Sequence, residues 1–239
     1  MTESPIFNLF PGEPAPHSSV LSDELTTPKI KHSEDTVGPF TRWEIDRGIP
    51  SDMKDEFETP ILQVFIDKLR ESGSISVMDA GCGTGRALYQ MREQLLLRTG
   101  AKESDVLTTG VSNIDFSDES ESAGVRNAIT AGDINYVVDD LSNVQLPPGS
   151  LDAIYSFEAF IYNEPEKIIK MVQNLLPSLK PDGFLIFNLK EGQRNNDLIS
   201  AYLENGKDNG FGIHEYIVDH RRTRRMFVLL RPFSQTSQN

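Results

Sequence analysis

The stretch Val77-Met78-Asp79-Ala80-Gly81-Cys82-Gly83-Thr84-Gly85-Arg86-Ala87-Leu88 constrains this chain more than any other. It reads as a short apolar strand with an acid near its end, a glycine-rich turn and the start of a helix. Glycines at every second position let the backbone turn sharply and leave no side chain where a ligand must lie against it. The helix that follows directs its first N–H groups at the same spot, which favours a polar or anionic ligand group. The spacing is not the Gly-x-Gly-x-x-Gly of dinucleotide sites. It is Asp-x-Gly-x-Gly-x-Gly, with the acid two residues before the first glycine, so a nicotinamide-dependent oxidoreductase is disfavoured.

At 239 residues, 38% of them hydrophobic, the chain is long enough for one well-buried α/β domain and too short for two with a linker. Its formal net charge of −13 argues against a broad phosphate-binding surface, and so against nucleic acid as partner. No apolar run approaches the roughly 18 residues that a membrane span needs. No basic region followed by an apolar stretch opens the chain, so a cytoplasmic protein is expected, with no membrane partner. The single cysteine, Cys82, excludes an intramolecular disulfide and any multi-cysteine metal site, and no metal is expected.

Residues 1–38 are rich in Pro, Ser, Thr and acids without a helical or strand period, and read as a disordered or loosely packed arm. Order is expected over 39–233, with 234–239 as a C-terminal tail. Phe40 to Asp46 holds the only tryptophan, Trp43. Thr59-Pro60 then signals a helix start, followed by Ile61, Leu62, Phe65, Ile66 and Leu69 at helical spacing and stopped by Gly73. Arg86 to about Leu97 continues as a helix with Leu88, Met91, Leu95 and Leu96 inward. Strands are expected at Val106–Val111, Ile134–Val138, Asp152–Phe157 and, after a turn at Lys180-Pro181-Asp182-Gly183, through Phe184–Phe187. Helices follow at Glu164-Pro165-Glu166 onward and around Leu198–Leu203. Two last strands, Ile213–Val218 and Met226–Leu230, flank Arg221, Arg222, Arg224 and Arg225, read as a hairpin tip that keeps an edge soluble.

The Asp79–Gly85 stretch resembles motif I of the class I S-adenosylmethionine-dependent methyltransferases, whose pattern is acid-x-Gly-x-Gly-x-Gly at the end of the first strand. The run from Asp140 through Leu146-Pro147-Pro148-Gly149-Ser150-Leu151-Asp152 is similar to the same family's segment from adenine-binding acid to fourth strand. Leu179-Lys180-Pro181-Asp182-Gly183 resembles its Leu-Lys-Pro-Gly-Gly segment, with Asp182 in place of the first glycine.

This resemblance implies a doubly wound α/β fold: a mostly parallel seven-stranded sheet, an antiparallel last strand and helices on both faces. It implies S-adenosylmethionine as cofactor, with Asp79 holding the methionyl ammonium and Gly81, Cys82, Gly83 and Gly85 lying under the methionyl and ribose portions. It assigns Asp140 to the adenine amine, with Leu141 beside the ring and Asp139 a solvated neighbour. The ribose acid is displaced from its usual place, because Gly110-Val111 leads to Ser112. Either the second strand runs on so that Asp115 binds the ribose, or Ser112 and Asn113 supply weaker hydrogen bonds; Asp115 is preferred.

Glu158 and Tyr162, after the fourth strand, are the candidates for orienting an acceptor or removing its proton, with Phe160 beside them at the acceptor's mouth. The Asn/Asp-Pro-Pro-aromatic motif of amide-nitrogen and adenine methyltransferases is absent here. The acceptor expected is a small molecule or a protein side chain. The alternatives are a non-catalytic protein binding S-adenosylmethionine or a nucleotide on the same fold, and an RNA methyltransferase using the four arginines.

Overall fold

The computed structural model describes residues 60–115, 123–157, 159–220 and 223–232. The N-terminal arm, Trp43, the Thr59 cap, Asp118, Glu119, Glu121, Glu158, Arg221, Arg222 and the C-terminal tail lie outside these residues.

The first described helix, α1 (Pro60–Ser72), begins at the proline and buries Leu62, Phe65, Ile66 and Leu69. Gly73 stops it in the left-handed region (φ 78°), where its N–H donates to Leu69 O at 2.8 Å. Strand β1 (Ile75–Ala80) feeds the glycine turn and then helix α2 (Arg86–Thr99), which Gly100 closes in the same way. Then come β2 (Val106–Ser112), α3 (Ala123–Ala131), β3 (Ile134–Val138) and β4 (Leu151–Ser156). Helix α4 (Pro165–Leu175), β5 (Leu179–Leu189), α5 (Glu191–Arg194), α6 (Asp197–Glu204), β6 (Phe211–His220) and β7 (Thr223–Pro232) complete the described order. The sequence pattern did not delineate α3 or the single turn of α5.

Five parallel strands run β3-β2-β1-β4-β5, and the order continues β7-β6, with β7 antiparallel to both its neighbours. β1 therefore lies between β2 and β4, where the winding reverses. At such a switch point the connections leave in opposite directions and open a crevice beyond the strand carboxyl ends. The glycine turn sits at that point.

Alternate residues of each central strand feed two cores, as side chains of a strand covered on both sides must. Met78, Ile154, Leu185 and Phe187 pack with Ile168, Val172 and Leu175 of α4 and Ile199 and Leu203 of α6. Val77, Tyr155, Phe184 and Ile186 pack with Phe65 and Leu69 of α1 and Leu88 and Leu95 of α2.

The opposite, amino-terminal edge of the sheet is held by charge. Asp152 is 3% exposed; its Oδ2 accepts from Ser76 N–H and from Lys180 Nζ, both at 2.8 Å. Lys68 of α1 reaches the same carboxylate at 3.8 Å and Asp182 at 2.6 Å. This ties α1, β1, β4 and β5 together, so the matched Asp152 holds the framework.

β5 begins at Leu179, so the Lys180–Gly183 segment is an irregular start of the strand, with a register shift against β4, rather than a separate turn. Gly183 is required for space, not for a left-handed backbone. A Cβ there would stand 3.0–3.1 Å from the carbonyl oxygens of Lys180, Leu151 and Asp152, none of which can swing aside. Gly183→Ala should cost about 1–3 kcal/mol in urea unfolding, as overpacking does. A loss below the error of that measurement would contradict the close approach.

Candidate cofactor and acceptor site

Three glycines of the turn adopt positive φ: Gly81 at 97°, Gly83 at 51° and Gly85 at 78°. Gly81 and Cys82 donate their N–H groups to Val111 O at 2.8 and 3.0 Å, which pins the turn to the end of β2. Gly85 caps α2 without a side chain and donates to Cys82 O. A Cβ on Gly81 would collide with the Cβ of Ala159, so the segment after β4 lies directly against the turn. Cys82 is buried, and its Sγ would stand 2.7 Å from a Cβ on Gly110 of β2. It packs the turn onto the sheet.

Asp79 is 5% exposed, opposite Tyr155 in the β1–β4 register. Burial pushes its carboxyl up to about 7, with the neighbouring Tyr155 hydroxyl opposing the shift. Among the described residues no cation pairs with it. A buried carboxylate of this kind is destabilised in its charged form until a cation arrives.

Tyr136 of β3 was not singled out by the sequence. Its hydroxyl donates to Gly83 O at 2.6 Å and lies 3.3 Å from Ile114 O, linking the turn to the loop after β2. That loop corrects one expectation, since β2 stops at Ser112 and does not run on to Asp115. The Ser112 hydroxyl accepts Ile114 N–H at 3.3 Å and its carbonyl accepts Asp139 N–H at 2.9 Å, so the chain turns away at once. Asn113 and Asp115 are exposed on the loop beyond.

After β3, Asp139 is half-buried, and its Oδ1 accepts Asp140 N–H at 2.7 Å. It is thus a loop-shaping residue, contrary to the solvated neighbour expected. The Asp140 carboxylate already has several donors. Oδ1 takes the N–H and O–H of Ser142 at 2.8 and 2.7 Å, and Oδ2 takes Lys167 Nζ at 2.8 Å. Lys167 first, then Ser142, hold the carboxyl down at about 2. Leu141 is 7% exposed and packs in the core beneath the sheet.

Beyond β4, Phe160, Ile161 and Tyr162 form one 3-10 turn. Phe160 is fully buried, its ring 4.8 Å from that of Phe187, so it is a core residue and not part of an acceptor's mouth. Tyr162 is 51% exposed, and Lys190, the first residue after β5, sets its ammonium 5.1 Å from the ring centre. Gln193 of α5 braces this lip through Nε2 to Ile161 O and Asn163 O at 3.1 and 3.2 Å. Glu158 falls outside the described residues. Among the described residues no cluster of three or more metal-ligating side chains occurs, and no helix is long and apolar enough to cross a membrane.

The family described as a methyltransferase domain matches residues 77–183, from β1 to the start of β5. A sterol 24-C-methyltransferase of Neurospora crassa is 28% identical over 110 residues, 46% of this chain. The match spans only 26% of that relative's length. Among solved structures, magnesium protoporphyrin IX methyltransferase from Synechocystis, with bound S-adenosylmethionine, aligns at TM-score 0.54 and 18% identity, covering 81% of this chain and 90% of its own. An S-adenosylmethionine-dependent methyltransferase from Clostridium acetobutylicum aligns at TM-score 0.55 and 14% identity, covering 82% and 98%. At such identities these structures speak to the fold alone. The segment that matches a methyltransferase domain thus carries the glycine turn at the switch point of the sheet, and the chain is similar in fold to these S-adenosylmethionine-dependent methyltransferases.

Proposed function

We propose that this chain moves the methyl group of S-adenosylmethionine onto a small-molecule acceptor held beyond the ends of β4 and β5. The observation that carries the reading is the buried Asp79 carboxyl, pushed up to about 7 beside three positive-φ glycines. It fits the cationic methionyl end of the cofactor, whose ammonium would draw the carboxyl back into its charged form. The glycines leave room for the methionyl and ribose portions to lie against the backbone. The loop Ser112–Asp115 supplies the ribose contacts, with Asp115 the acid on it.

The adenine end calls for an acceptor of the exocyclic amine just after β3. Asp140 stays the assigned residue if a lone pair of Oδ2 remains open beside Lys167. The Asp139 carboxylate, one residue nearer the strand, is the competing group, and its Oδ2 has no bond among the described residues. Leu141 contributes from below by fixing the loop, since its side chain is in the core.

The cofactor supplies the activated methyl on its sulfonium. What this chain must do is align an acceptor with that methyl and exclude water. Ala159, against Gly81, brings the segment after β4 to the methionyl end, so Tyr162 and Glu158 remain the candidates for orienting the acceptor.

Calorimetric titration with S-adenosylhomocysteine tests the cofactor site. Wild type should bind it, and Gly83→Val, titrated well below an unliganded thermal midpoint that its φ of 51° lowers, should lose at least tenfold in affinity. Equal affinities would refute the placement. Incubation with methyl-labelled cofactor and a small-molecule library then identifies the acceptor.

A further inference from the structure

The lip beyond β4 and β5 carries a pair of side chains whose chemistry narrows the acceptor. Tyr162 ends the 3-10 turn after β4, and Lys190 is the first residue after β5, the strand paired beside it. The two are fixed relative to one another by Gln193. Its Oε1 accepts Lys190 N–H at 3.1 Å while its Nε2 donates to the carbonyls of Ile161 and Asn163. Asn163 Nδ2 in turn donates to Ala159 O at 2.7 Å, and Ala159 touches the glycine turn. Hydrogen bonds therefore run from the lip to Ala159, which packs against the cofactor turn.

Two features of the pair are not needed by the fold. Tyr162 leaves half its surface exposed although its neighbour Phe160 fills the core. The Lys190 ammonium faces the Tyr162 ring and, among the described residues, pairs with no carboxylate. In a chain of formal net charge −13, the average field opposes the approach of an anionic small molecule. A cation held over an aromatic surface at this lip offers it a local exception.

Resting on the methyltransferase reading above, we infer that Lys190 is a specificity-determining residue of the acceptor site. It reads a carboxylate on a small acceptor whose flat or apolar body lies against the Tyr162 ring. The ammonium exchanges a cation–π contact for a charge-assisted hydrogen bond, which is the stronger of the two. Gln193 keeps the lip in place while that exchange occurs.

The test uses the full chain saturated with S-adenosylhomocysteine and titrated with matched probes: 3-phenylpropionate against 3-phenylpropionamide, and octanoate against octanamide. In wild type each acid should bind about fivefold more tightly than its neutral amide, the ratio expected for a partly exposed charge pair. Lys190→Gln should abolish the ratio, Lys190→Glu should reverse it, and Tyr162→Ala should weaken acid and amide alike. The affinity for S-adenosylhomocysteine, measured first for each variant, reports whether the cofactor site is intact. Absence of that binding in wild type overturns the methyltransferase reading and this one with it. Intact cofactor binding with acid and amide bound equally, with neither bound, or with a preference that survives Lys190→Gln overturns the role of Lys190 alone.

Discussion

Asp79→Asn should make the unliganded protein more stable at pH 8 and at the same time remove most of its affinity for S-adenosylhomocysteine. Both effects come from one buried carboxyl. Its value is raised from 3.8 to about 7, so between those limits the folded chain holds a proton that the unfolded chain releases. The contribution of Asp79 to stability is then greatest below about pH 4, falls as pH rises towards 7, and is level above. A shift of that size corresponds to a loss of about 4 kcal/mol across the window. Asparagine keeps the shape and cannot ionise, so the variant should lack this slope and gain most of that energy at pH 8.

The ligand reverses the preference. An ammonium at Asp79 favours the ionised form, so binding to wild type releases a proton below pH 7 and tightens as pH rises to about 7. Asp79→Asn should bind weakly and without that pH dependence. Urea unfolding between pH 5 and 9, and calorimetry in buffers of different ionisation enthalpy, read the two effects separately. A stability profile for the variant that runs parallel to wild type would show that Asp79 is not the titrating group. Proton-neutral binding at pH 6 would remove it from the ammonium site.

The legibility of this site in the sequence follows the range of the forces involved. Asp79 and its glycines could be read because their demands are local: positive φ at Gly81, Gly83 and Gly85 and an acid at a strand end are written within seven consecutive residues. The strands and helices of the core followed from strand-sized apolar runs alternating with helical ones, and their parallel arrangement from the resemblance. Asp140 was harder, because the group that occupies it, Lys167, lies 27 residues away on another element. Phe160 and Tyr162 are two residues apart and look alike in the sequence, yet a 3-10 turn sends one into the core and leaves the other half exposed. Tyr136 and Gln193 act through backbone carbonyls, which carry no signature in the residues they bind. Gly183 reads in the sequence as part of a turn, whereas in the structure it lets three carbonyls approach.

Gly81→Ala should be the most damaging single methyl in the described chain, and Ala159→Gly should repair part of the damage. The residue adopts φ 97°, which costs an alanine about 1–2 kcal/mol whatever surrounds it. The added Cβ also collides with the Cβ of Ala159, and relieving that contact requires the segment after β4 to withdraw from the turn. Overpacking of this kind adds about 1–3 kcal/mol. The two costs separate in a double-mutant cycle. Gly81→Ala alone should unfold at lower urea and lose S-adenosylhomocysteine binding. Adding Ala159→Gly removes the obstructing methyl, so the packing share of the stability loss should return while the backbone share remains. Ala159→Gly by itself should cost little, being a small residue in a loop. The coupling between the two positions should therefore be clearly favourable. If the double variant is no more stable than Gly81→Ala, the segment after β4 does not press on the glycine turn, and the route from cofactor to Tyr162 must run elsewhere.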